Sequence, residues 1–226
     1  MKKLSGLILF IIALLADLIG TWSNNEWLQY ISKPLIIPAL IFYFLCLAEP
    51  RNYFSGKWVV IGLFFSWVGD VLLMFVAKNE IFFLLGLASF LLAHIFYILF
   101  FQRVIKEEKV KFRPWLLAIV AIYYTALVSW LFPHLGDMKV PVLIYGLVIS
   151  TMFLLAMHML FIKNKAAGKW MMAGALLFVI SDSILAVNKF YHPFETAGIL
   201  IMVTYGLAQL FIVKGSTGVI NSANKE

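Results

Sequence analysis

The chain has 226 residues, 63% of them hydrophobic and 13% charged, with a mean hydropathy of +0.97 and a formal net charge of +7. A soluble domain needs more wettable surface than this composition supplies, so a water-soluble globular protein is excluded and a polytopic membrane protein is expected. The positive charge does not point to nucleic acid, because the basic residues are borne by loops and segregate by side, as membrane topology alone requires.

A helix needs about 17–25 apolar residues to cross a bilayer core. Eight stretches answer to that length: approximately Leu4–Trp22, Pro34–Ala48, Lys57–Ala77, Ile81–Gln102, Pro114–Phe132, Lys139–Ile162, Lys169–Asn188 and Glu195–Val213. The expected fold is all-α, a polytopic bundle of about eight transmembrane helices forming one membrane domain over residues 1–226. The second stretch is the shortest. Met1, Lys2 and Lys3 before an apolar run imitate a secretion signal, but no small-x-small cleavage site follows and the run continues past Asp17 to Trp22, so a retained first span is expected. No linker or low-complexity segment interrupts the pattern, and the longest loop, about Arg103 to Arg113, is a charged connector.

Cytoplasmic loops collect Lys and Arg. Lys2, Lys3, Arg51, Lys57, the basic residues from Arg103 to Arg113, Lys163, Lys165, Lys169, Lys214 and Lys225 fall on one side, against Lys33, Lys78, Lys139 and Lys189 on the other. Both termini are therefore expected to be cytoplasmic. Trp22, Trp27 and Trp130 mark the outer boundary and Trp58, Trp115 and Trp170 the inner one, while Trp67 alone leaves these belts. The single cysteine, Cys46, lies in an apolar stretch, which excludes a disulfide within the chain. Short loops favour the inner membrane of a bacterium.

A weak echo runs through the halves: Gly62, Asp70 and Leu73 are matched by Gly174, Asp182 and Leu185 at one constant offset. An even number of spans per half would give both copies the same orientation, a parallel 4+4 repeat. The third and seventh helices are then expected to occupy equivalent places.

Asp70 and Asp182 carry the functional signal. A carboxylate inside hydrocarbon costs at least a few kcal/mol, so each is a functional candidate by default. Converting position to depth puts Asp70 and Asp182 roughly 5 Å beyond mid-span toward the non-cytoplasmic side, and Asp17 about 6 Å on that side. All three are expected to point inward, toward one polar cavity. Ser66 lies one turn from Asp70, and Lys189 two turns beyond Asp182, on the same faces. Lys33 opens span two as a second cation at the mouth. The plain alternative for the lysines is snorkelling at a helix end, and for the two acids a bond that glues helices together.

Paired carboxylates in a site of low polarity divide labour, one keeping its proton as a general acid and the other staying ionised to steer water or stabilise positive charge. That suits cleavage of a C–O bond through an oxocarbenium-like state. His94 and Tyr97 share a face of span four, and Tyr205 and Gln209 a face of span eight. Four dispersed histidines show no metal-ligand spacing, and neither a nucleophile elbow nor a phosphate-cradling glycine loop is present, so no metal or cofactor is expected.

These positions are also where the chain resembles a known group. The pieces are Lys33-Pro34-Leu35, Ser66-Trp67-Val68-Gly69-Asp70, Phe90 with His94 and Tyr97, the run from Ser181 through Asp182, Asn188 and Lys189 to Phe190, and Tyr205-Gly206-Leu207-Ala208-Gln209. In order and spacing they resemble the lysoplasmalogenase family of YhhN-like membrane proteins, along the whole chain. The resemblance implies hydrolysis of the vinyl ether bond of lysoplasmalogens, with release of a fatty aldehyde and a glycerophospho-ethanolamine or glycerophospho-choline. By the same likeness Asp70 and Asp182 are the catalytic acids. Lys33, Ser66, His94, Tyr97, Ser181, Asn188, Lys189, Tyr205 and Gln209 are the expected substrate-binding set. The expected partners are a lysophospholipid and the bilayer, without a protein partner. A proton-coupled transporter is the competing class, since inward carboxylates and a parallel repeat describe it too. It calls for broken spans, yet Pro38 and Pro141 lie near span starts, where proline is tolerated.

Overall fold

Inside hydrocarbon every backbone N–H and C=O must be paired within the protein, and a long apolar stretch does so within itself as a helix. The computed structural model describes residues 2–48 and 53–222. It contains eight long helices: α1 (Lys2–Trp22), α2 (Glu26–Leu47), α3 (Tyr53–Leu73), α4 (Ile81–Glu107), α5 (Pro114–Leu131), α6 (Lys139–His158), α7 (Lys165–Ala186) and α8 (Ala197–Ser222). All eight are long and apolar enough to cross a membrane, as the sequence predicts. Large apolar side chains such as Ile12, Ile19 and Ile122 are exposed on the outside, where lipid replaces water as solvent.

The second span differs from expectation. It starts not at Pro34 but at Glu26, where Asn25 caps the helix by accepting a hydrogen bond from the Leu28 N–H at 3.1 Å. Both Pro34 and Pro38 therefore lie inside α2, and Lys33 is about two turns within the helix rather than at its mouth end. The prolines are four residues apart, so Pro38 lacks the N–H that the Pro34 carbonyl would normally accept. The indole Nε1–H of Trp67, on α3, donates to that carbonyl at 2.9 Å. This cross-helix bond is why Trp67 has left the interfacial belts. Trp67→Phe should strand the carbonyl and destabilise the bundle by about 1–3 kcal/mol, read as a lower melting temperature in detergent.

Two other boundaries move. Helix α4 runs on to Glu107, steadied by an Arg103–Glu107 ion pair at 2.7 Å one turn apart, so the expected connector shrinks to residues 108–113. Helix α8 continues to Ser222, beyond the expected Val213. Its end ties the face rich in Lys and Arg together: Asn221 donates to the Leu47 carbonyl, and Asn164 donates to the Gly218 carbonyl and to Ser222 Oγ. His158 closes the same face. Its Nε2 accepts the Arg113 N–H at 3.1 Å, leaving Nδ1 to donate to the Leu154 carbonyl, and its ring stacks on Phe112.

Helices pack most extensively as the hairpins α1–α2, α3–α4 and α7–α8. Glycine allows the close approach in two of them. A Cβ on Gly62 would lie 2.7 Å from the Tyr97 ring of α4, and one on Gly174 would lie 2.8 Å from the Ala208 carbonyl of α8. Helix α5 is the loosest, resting chiefly on α6. Helix α7 ends in a π-helical turn, Val187–Tyr191, on the face opposite the basic one.

Candidate active site

Four helices bring their polar residues to one cavity of about 260 Å³ that opens on the non-basic face. Its wall includes Asp70 at the end of α3, Ser181 and Asp182 on α7, Asn188 and Lys189 in the π-helical turn, Tyr205 on α8 and Lys33 on α2. Leu73, Phe83, Phe90, Leu185 and Met202 supply apolar surface between them. The two acids, remote in sequence, thus share a hollow.

Each carboxylate has its own phenol. Tyr205 Oη donates to Asp70 Oδ2 at 2.8 Å, and Tyr145 Oη, from α6, donates to Asp182 Oδ2. Asp70 is buried, 4% exposed, whereas Asp182 is half-buried because it borders open space on two sides. Lys33 acts electrostatically on Asp70 across the cavity. Lys189 leans over the Phe83 ring and forms an ion pair with the exposed Glu80 at 3.4 Å. Asn188 Oδ1 accepts the Phe194 N–H at 3.1 Å and so pins the chain as it leaves the π-helical turn. Ser181 Oγ donates to the Ile201 carbonyl, fastening α7 to α8 beside the acids.

Ser66, Tyr97 and Gln209 do not line the cavity. They form a buried chain beneath it, in which Tyr97 Oη donates to Gln209 Oε1 at 2.6 Å and Gln209 Nε2 donates to Ser66 Oγ at 2.9 Å. Ser66 and Gln209 each lie one turn below a cavity residue, Asp70 and Tyr205, so this chain stiffens the α3–α8 contact that aims them. His94 also lies below the cavity, fully buried against the rings of Phe178 and Tyr145, and neither ring nitrogen makes a hydrogen bond.

Asp17 departs from the expected shared cavity. It is fully buried in α1 with no hydrogen bond of good geometry, and the cation acting on it is Lys33. The rise per residue placed it at the right depth, but α1 packs against α2 and α8 and does not reach the cavity wall. Lys33 therefore acts on both Asp17 and Asp70. Tyr145 is the site residue that the sequence reasoning passed over. A tyrosine nearly two turns inside a span, deeper than the interfacial belt, was the available signal. Among the described residues, no group of three or more His, Cys, Asp or Glu side chains is placed to hold a metal.

The sequence model of the YhhN family matches residues 28–216, which takes in every element of the cavity. The chain belongs to the YhhN family. This YhhN-family chain is 34% identical to human lysoplasmalogenase TMEM86B over 148 residues, 65% of the chain and 58% of the human protein. It is 31% identical to the rat lysoplasmalogenase TMEM86B over 189 residues, 83% of the chain and 72% of the rat protein. A lysoplasmalogenase of Mycobacterium bovis is 29% identical over 163 residues, 70% of the chain and 60% of that protein. The match thus spans about three fifths of the human and mycobacterial relatives. No solved structure matches the chain.

Proposed function

We propose that this YhhN-family chain hydrolyses the vinyl ether bond of lysoplasmalogens by acid catalysis from Asp70 and Asp182. The supporting observation is a single cavity holding two phenol-bonded carboxylates, with Lys33 and Lys189 on the same wall. Relatives named lysoplasmalogenase lend the substrate class. The short loops between spans favour a bacterial inner membrane.

Protonation of the β-carbon of a vinyl ether leaves an oxocarbenium ion. Water adds to that cation and loses a proton, and the hemiacetal collapses to a fatty aldehyde and the glycerol hydroxyl of a glycerophospho-ethanolamine or glycerophospho-choline. One acid must deliver the first proton and one anion must stabilise the cation and orient the water. Asp182 is the donor, since it borders the apolar slot as well as the cavity. Asp70 is the anion, since a cation faces it. The proton lost by the attacking water restores the donor, so the cycle consumes only water. Lys33 and Lys189 receive the phosphate.

Purified protein should release aldehyde from a lysoplasmalogen and none from the saturated-ether analogue, whose C–O bond cannot be activated by protonation at carbon. Transport of the intact lysolipid without aldehyde would overturn the proposal. Lys189→Ala should raise KM for the lysolipid several-fold while lowering kcat less, because the ammonium meets a part of the substrate that does not react. An unchanged KM would return Lys189 to a purely structural ion pair with Glu80.

A further inference from the structure

The cavity cannot enclose a whole lysolipid. Its 260 Å³ falls below the roughly 300–1,000 Å³ of pockets that hold drug-sized ligands, and a long hydrocarbon chain must leave it somewhere. Lys189 lies seven residues from Asp182, about 10 Å along the helix axis, so a phosphate at the mouth puts the ether oxygen near the acids and sends the chain onward, away from the mouth. Straight ahead the way is shut. Phe90, Phe178 and Tyr205 pack edge to face with centroids 5.5–6.4 Å apart, and His94 lies behind them against Phe178.

Sideways, the wall is one residue thick. Asp182 lines both the cavity and a second, apolar slot between α5, α6 and α7. Leu127 and Val128 of α5, Val142 and Ile149 of α6 and Val179 of α7 form its sides. The slot straddles the Asp182 level, from Leu131, Val142 and Ala186 on the outer side to Ile149, Ser150 and Val179 one turn inward, and its inner end points the way the tail of an outer-leaflet lipid points. Helix α5, which bounds it on the outside, rests chiefly on α6 and is joined to α7 by a bond between Tyr123 and Ser183. The slot is narrow, about 60 Å³, but its outer wall is the least buried of the spans.

We infer that this slot is the binding site for the hydrocarbon chain of the substrate, which passes Asp182 and leaves the bundle between α5 and α7. The inference rests on the proposed vinyl ether activity for its ligand, and it adds what that activity leaves open: where the chain lies and which residues read its length. The vinyl ether carbons, the first two atoms of the chain, then lie beside Asp182, at the boundary of the polar and apolar hollows.

The test is chain-length selectivity. Ile149→Trp and Val179→Trp each fill the inner end of the slot from a different helix, and neither residue lines the cavity. Wild type and variants are assayed on hexadecenyl and butenyl lysoplasmalogens, and binding of the matching saturated-ether lysolipids is measured by equilibrium dialysis. Expected is a fall of about tenfold or more in kcat/KM and in binding for the long chain, with the short chain kept within about twofold. Equal losses for both chains, or no loss for either, in the variant that keeps its wild-type melting temperature would overturn the inference while leaving aldehyde release intact. Selective loss of long-chain binding without aldehyde release from any substrate would uphold the chain site and overturn the activity instead.

Discussion

Asp182→Asn and Asp70→Asn should each lower aldehyde release by about 10²–10⁴-fold, the range that general acid–base groups contribute, with little change in melting temperature. The amide keeps the shape of the carboxyl group and can still accept the Tyr145 or Tyr205 hydroxyl through its oxygen. It can neither give a proton to carbon nor carry the negative charge that a developing oxocarbenium ion requires. The two losses should not multiply in the double variant, because removing either member disables the same step. Retained activity in both single variants would end the acid–anion pair. Loss of folding in both would instead mark the acids as helix-to-helix fasteners, an outcome that the melting curves separate from a catalytic defect.

Gly168→Ala should cause the largest loss of stability of any glycine-to-alanine change among the described residues. A Cβ at that position would lie 2.0 Å from the Met159 carbonyl oxygen, which belongs to the turn Met159–Phe161 between α6 and α7. Neither partner can yield by rotating a side chain, since the obstruction is backbone, and α7 would have to shift as a body. Overpacking of this kind costs about 1–3 kcal/mol and sometimes more, measured as a fall in melting temperature in detergent. Gly168 sits in the first turn of α7 on the basic face, far along the helix from Asp182. The surviving folded fraction should therefore keep its kcat, and a matching fall in kcat would mean that strain travels the length of α7 to the cavity.

The amino-acid sequence by itself determined the eight spans, because hydropathy and length are local properties and an unbroken apolar run of about 20 residues satisfies its backbone in lipid as a helix. It also determined that Asp70 and Asp182 lie at one depth, since depth in a helix follows from counting residues. It misplaced the start of α2 because Pro34 and Pro38 read as a helix entrance, and only the Trp67 indole, from another helix, makes a helix through them tenable. Which faces meet was decided by tertiary packing. The same counting put Asp17 level with the other acids, yet α1 keeps it off the cavity wall, where Lys33 stands. Tyr145 reaches Asp182 from α6, and Tyr205 reaches Asp70 from α8. Helix–helix contacts in a bilayer depend on small residues, interhelical hydrogen bonds and shape rather than on a hydrophobic stripe, so a uniformly apolar segment carries little local sign of which side it will bury.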